Sequence, residues 1–132
     1  MASVFSRIIN GELPCYKVAE DEKNIAILDI EPIVEGHVLV IPKNEVDKIY
    51  ELPEEDYLSL MAFAARVARA VEKAMDCIRV GYEVVGLDVH HVHVHLLPLS
   101  GPKDMDLSRP HKELSGERMA EIAATIASHI EK

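Results

Sequence analysis

Three histidines, His91, His93 and His95, recur at strict two-residue spacing and run into Leu96, Leu97 and Pro98. With His90 they place four of the chain's seven histidines in six consecutive positions. Alternate side chains of a β-strand share a face. The spacing therefore predicts three imidazoles side by side, with Val92, Val94 and Leu96 buried on the opposite face. On a helix the same residues would fan over the surface. Ionisable rings backed by a core are costly to hold unless they are partnered.

Two chemistries use such a set. In the first, a central imidazole attacks phosphorus and carries a covalent intermediate. Its neighbours then donate hydrogen bonds to the phosphate oxygens and move a proton to the leaving group. Clustered rings also disfavour one another's protonation, which keeps a nucleophile neutral, whereas a bound phosphate favours the charged, donating form. The second chemistry is metal ligation. His91 and His95 would lie roughly 13 Å apart along a strand, too far to share one zinc at ligand distances of about 2.0–2.1 Å. A His-x-His pair joined by His37 stays open as a metal set.

The elements that must position these rings can be read from hydrophobic pattern and punctuation. Phe5 to Ile9 carries apolar residues at helical spacing and ends at Asn10-Gly11. Cys15 to Ala19 and Asn24 to Ile30 read as short strands separated by the polar cluster 20–23, with Pro32 closing the second. Gly36 precedes a β-branched run, His37 to Ile41, stopped by Pro42. Pro53 and the acids Glu54, Glu55 and Asp56 open a long helix, matched to its N-terminal dipole. Leu60, Met61, Ala64, Val67, Ala68, Val71 and Met75 form its apolar stripe. Ile78 to Val85 and His90 to Leu97 give two further strands around Gly86. Ser115 is placed to cap a last helix with Met119, Ile122, Ala123, Ile126 and Ile130 on one face. Residues 99–114 read as a long loop. The sum is an α+β fold, an antiparallel sheet of about five strands with one long helix and two flanking ones.

The bulk composition agrees with a single domain over residues 1–132. The net charge of −9 and the lack of a basic run argue against nucleic-acid backbones as partners. The N-terminal stretch lacks a basic region followed by an apolar run, and no apolar segment approaches membrane-spanning length. Cys15 and Cys77 form no C-x-x-C pair. The expectation is a cytoplasmic chain with free thiols and no membrane partner.

His91-Val92-His93-Val94-His95-Leu96-Leu97 resembles the signature of the histidine triad family of nucleotide hydrolases and transferases. Phe5-Ser6-Arg7-Ile8-Ile9 with Glu12-Leu13-Pro14 resembles that family's N-terminal helix and following segment. Ala26 to Ile30 resembles its nucleoside-binding strand, and Gly36 to Lys43 the strand bearing its fourth histidine. The likeness runs from about Ser3 to Pro98 and favours the small nucleotide-binding branch. It implies His93 as the nucleophile at an α-phosphorus and His95 as a phosphate contact, with His91 and His37 orienting the set. It implies Asp29 as the acid that binds both ribose hydroxyls, and Val4, Phe5, Ile8, Ile27, Leu28 and Ile30 as a base pocket. A purine nucleotide and a homodimer also follow from the resemblance alone. No added metal is expected, although magnesium can arrive with some substrates.

The chain departs from that pattern just before the triad. Many members carry an Asn and a Gly-Gln-Ser/Thr segment that hold the phosphate and leaving group. Here Leu87 stands where the Gln would be and Asp88 where the Ser or Thr would be. Leucine cannot hydrogen-bond phosphate and an ionised Asp repels it, whereas Asp88 suits a cationic leaving group such as an amine. Ser3 and Ser6 replace the C-x-x-C through which some members hold a structural zinc, so none is expected. Two other functions stay open. One is a nucleotide-binding module with little turnover, and the other a metal-dependent hydrolase built on His91, His93 and His37.

Overall fold

The computed structural model describes residues 2–131. Five strands form one fully antiparallel sheet: β1 (Lys17–Glu20), β2 (Asn24–Leu28), β3 (Val38–Pro42), β4 (Arg79–Glu83) and β5 (Val94–Leu99), in spatial order β1-β2-β3-β5-β4. The helices are α1 (Val4–Ile9), α2 (Glu54–Ala74) and α3 (Gly116–Ala127), with short 3-10 turns at Ile49–Glu51 and Pro102–Met105. The α+β architecture read from the sequence is the one observed.

Helices α2 and α3 pack on one face of the sheet over a large core. Ala26 and Leu28 from β2, Val38 and Val40 from β3, and Val94 and Leu96 from β5 supply its sheet side. The α2 stripe falls where the periodicity puts it, with Phe63 and Ala70 added to the buried set. The other face is covered in part by α1, whose Phe5 packs with Ile25, Ile27, Leu39 and Ile41. Strands β2 and β3 are thus buried on both faces, which explains their unbroken apolar runs.

Local chemistry closes each element. Asp21 Oδ1 accepts from the backbone N–H of Lys23 and Asn24 at 3.0 and 2.7 Å and shapes the β1–β2 turn. Ser115 caps α3, its hydroxyl accepting from Arg118 N–H at 3.1 Å. Gly36 adopts φ +90° just before β3, where a Cβ would meet Met75 Cγ at 2.8 Å.

Several boundaries differ from expectation. The main correction concerns the strand expected over His90 to Leu97. β5 begins only at Val94: the β3–β5 ladder ends at the Val40–Val94 pair although β3 runs on to Pro42, whose carbonyl accepts from the His91 ring while Val92 N–H turns to Val46 O. At its other end β5 extends through Pro98 to Leu99. Pro98 is tolerated because β3 stops pairing at Leu96, so no ladder partner there needs its missing N–H. The first strand starts at Lys17 instead of Cys15, β2 stops at Leu28, and β4 covers Arg79–Glu83 only.

Candidate active site

Although His91, Val92 and His93 lie outside the ladder, the expected alternation of faces survives. Val92, Val94 and Leu96 enter the helix-side core. His93 and His95 face the opposite side, with their ring centroids 5.1 Å apart. The extended segment is held by the loop after β3 in place of a strand. Val92 N–H donates to Val46 O at 2.8 Å, and the His91 ring to Pro42 O at 2.8 Å.

The hydrogen bonds fix the tautomer of every ring in the set. His93 Nδ1 lies 2.7 Å from the His91 carbonyl, which can only accept, so Nδ1 carries the proton and Nε2 a lone pair. His37 Nδ1 accepts from Ile33 N–H at 3.3 Å, which places its proton on Nε2. That Nε2–H donates to His95 Nδ1 at 2.9 Å, which in turn leaves His95 with Nε2–H as a donor. One ring therefore offers a lone pair and its neighbour an N–H donor.

Burial favours the neutral forms. His95 is pushed down to about 3, chiefly by burial and then by His37 and His93 beside it. His37 is also lowered, by burial first, with Asp29 opposing and His93 adding to the shift. Burial lowers His91 as well, opposed by its bond to Pro42 O and by Glu45. These three rings are uncharged at neutral pH.

A cavity of about 880 Å³ opens over this face. His37, His93, His95, Asp29, Val4, Phe5, Ile8, Ile27, Leu28, Ile30 and Asp88 all line it. Leu28 is anchored mainly in the helix-side core, and Ile30 is 73% exposed at the rim. His91 does not line the cavity; it is wholly buried behind it. Asp29 follows β2 at the cavity wall. Its Oδ1 accepts from Glu31 N–H at 2.9 Å as a turn former, while Oδ2 lies 3.6 Å from His37 Nε2 at the cavity wall. Leu87 and Asp88 stand exposed at the rim.

Sequence reading did not reach three groups. Residues 107–111, from the long loop, form one wall, and Arg109 is the one lysine or arginine lining the cavity among the described residues. Asp104 Oδ1 and Lys103 O hold Arg109 Nη1 at 3.0 and 2.9 Å. Glu83 sits across from His95 in the β4–β5 register, its Oε2 buried and unpartnered among the described residues. Ser3 and Ser6 join Glu45 and His91 in a hydrogen-bonded cluster. Only the paired serines carried any signal.

Asp29, His37 and His95 bring ligand atoms within 4.8 Å of one another, but the facing nitrogens of the two rings are committed to each other. His91 spends both nitrogens, on Pro42 O and Ser3, which removes it from the His91, His93 and His37 set. At positions 3 and 6, where the resemblance implies a zinc-binding C-x-x-C, Ser3 and Ser6 offer hydroxyls already bonded within the chain, not thiolates.

Comparison with known proteins agrees with this geometry. The family model described as HIT domain matches residues 10–101. Adenosine 5′-monophosphoramidase HNT1 of Saccharomyces cerevisiae is 30% identical over 132 residues, covering 98% of this chain and 84% of that protein. A crystal structure of a Hit-like protein involved in cell-cycle regulation from Bartonella henselae superposes with a TM-score of 0.84 at 26% identity, covering 96% of this chain and 95% of that one. A hypothetical histidine triad nucleotide-binding protein from Sulfolobus tokodaii gives 0.81 at 32% identity, covering 96% and 90%. On sequence, fold and the arrangement of its histidines, the chain belongs to the histidine triad (HIT) family.

Proposed function

We propose that this protein hydrolyses nucleoside 5′-monophosphate derivatives, phosphoramidates or phosphoanhydrides, at the α-phosphorus through a nucleotidyl-His93 intermediate. The observation that carries the reading is the 2.7 Å bond from His93 Nδ1–H to the His91 carbonyl, which leaves Nε2 as the nitrogen free to attack. The lone pair of Nε2 forms the bond to phosphorus as the bond to the leaving group breaks. His95 Nε2–H donates to the phosphate oxygens or the departing atom, oriented through His37. Water then displaces His93. Over the two steps one water is consumed, its hydroxyl ending on phosphorus and its proton on the leaving group. Asp29 accepts from the ribose hydroxyls, and Val4, Phe5, Ile8 and Ile27 sandwich the base.

The name of the yeast relative supports a phosphoramidate as substrate. Asp88 at the rim supports an amine as the group released, and a purine base remains a family expectation. The nucleophile as described requires no added metal. We further propose a cytoplasmic homodimer. β4 is an edge strand, and Ile78, Tyr82, Val84 and Val85 expose apolar surface on or beside it, an edge that a second copy would cover. No helix of the described residues is long and apolar enough to cross a membrane.

The test compares wild type and His93→Ala with an adenosine phosphoramidate, following products by chromatography and adducts by intact mass. Turnover and a nucleotidyl adduct that both vanish in His93→Ala, and that resist a chelator, are the expected result. Tight binding without turnover would mark a nucleotide-binding module, and chelator-sensitive turnover a metal hydrolase. Replacing Asp88 by Ser is expected to shift preference away from amine leaving groups; an unchanged preference removes its assigned role.

A further inference from the structure

His91 is fully buried and lines no cavity wall, yet both of its ring nitrogens are committed. Nε2–H donates to Pro42 O, which leaves Nδ1 as an acceptor, and the Ser3 hydroxyl donates to it at 2.6 Å. Ser3 is also the N-cap of α1, its oxygen accepting from Ser6 N–H at 3.0 Å. Two further donors of this turn converge on one carboxylate. Ser3 N–H and the Ser6 hydroxyl both reach Glu45 Oε1, at 2.8 and 2.5 Å. These bonds, the Ser3 backbone N–H first, hold the Glu45 carboxyl at about 2.

The cluster joins three parts of the chain that the sheet leaves separate: α1, the loop after β3, and the segment His91–His93. That loop already supplies Pro42 O and Val46 O to the segment. α1 adds a second constraint through Phe5, whose ring meets His91 and His93 edge-on at 5.8 and 4.9 Å. His93 is thus oriented by the His91 carbonyl on one side and by Phe5 on the other. Both supports are tied to Ser3, His91 through its ring nitrogen and Phe5 through the first turn of α1.

We propose that Glu45, with Ser3 and Ser6, is a latch that positions the His93 ring. It pins the first turn of α1 to His91, so that the His91 carbonyl and the Phe5 ring hold His93 as its Nδ1–H tautomer. Glu45 lines no part of the cavity and is a positioning residue, not a catalytic one. The kinetic consequence rests on His93 being the nucleophile. The state of the ring does not, and it can be observed without substrate.

The test uses nitrogen-resolved spectra of the histidine rings together with kcat for an adenosine phosphoramidate. Wild type is expected to show one Nδ1–H signature for His93. Glu45→Ala is expected to show mixed tautomers and to lower kcat by about tenfold to hundredfold, the scale of a slightly misplaced reacting group. Glu45→Gln keeps an oxygen for both donors and is expected to retain the signature and kcat within about threefold. An unchanged His93 spectrum in Glu45→Ala overturns the latch, even with a lower melting temperature. So does a Glu45→Gln protein as impaired as Glu45→Ala. Should wild type turn over no substrate, the hydrolase reading fails alone and the spectra still decide the latch.

Discussion

Acidification is expected to destabilise this protein well above the usual carboxylate range, and His95 sets most of the scale. In the fold its value is about 3, against 6.5 for an ordinary histidine. Between those limits the unfolded chain binds a proton that the folded chain refuses. The stability His95 contributes is therefore complete above pH 6.5 and is lost as pH falls toward 3. Each pH unit within the window costs about 1.4 kcal/mol, so moving from about pH 7 to about pH 5 removes roughly 2 kcal/mol through this ring alone. At 9% exposure the ring has little solvent to screen it. His37 and His91, also lowered, push in the same direction. Glu45 acts in a separate window, its stabilisation present above 4.5 and lost only toward about 2. Urea unfolding of wild type and His95→Asn at both pH values isolates the effect, since the variant is expected to lose about 2 kcal/mol less on acidification. A wild-type unfolding free energy that stays flat across that interval would refute the reasoning. An undiminished slope in His95→Asn would refute the assignment to this ring.

Three further outcomes follow from single contacts. Arg109→Ala removes the lone guanidinium from the cavity wall and is expected to weaken nucleotide monophosphate binding about tenfold in calorimetry; unchanged affinity would place Arg109 outside the anion site. Gly36→Ala puts a Cβ at positive φ and 2.8 Å from Met75, so chemical denaturation is expected to show a loss of about 1–3 kcal/mol. Ser115→Ala removes the cap of α3 and is expected to cost about 1 kcal/mol in the same assay, with kcat unaltered.

The fold was legible in the sequence wherever burial is periodic. The α2 stripe, the unbroken runs of β2 and β3, and the cap at Ser115 all reflect local pattern and are found in place, though β2 ends at Leu28, β3 takes in Pro42 and Met75 falls just past α2. The histidine alternation was legible too, because Val92, Val94 and Leu96 must share one core whether or not a ladder is present. What local pattern does not contain is the end of that ladder, where the histidine segment leaves β3 for the loop after it, Val92 N–H bonding Val46 O. The same limit hid Arg109, brought to the cavity by the path of a loop whose Lys112 N–H bonds Pro32 O. Glu45 reads as one exposed acid among many until α1 folds back on it. Serines at positions 3 and 6 announced only that thiolates were missing.

The boundary at Val94 divides the site mechanically. His95, the N–H donor, belongs to a strand paired on both sides, so its backbone opens only with the sheet. His93, the nucleophile, belongs to a segment tied by isolated bonds to the loop after β3 and to α1. Amide hydrogens follow such divisions, exchanging through small local openings where contacts are few and only through global unfolding where ladders are complete. Val92 and Leu96, four residues apart on one face, are expected to exchange as members of different cooperative units. Changes to α1 or to the loop after β3 can therefore retune the nucleophile while His95 and the sheet that carries it stay as they are.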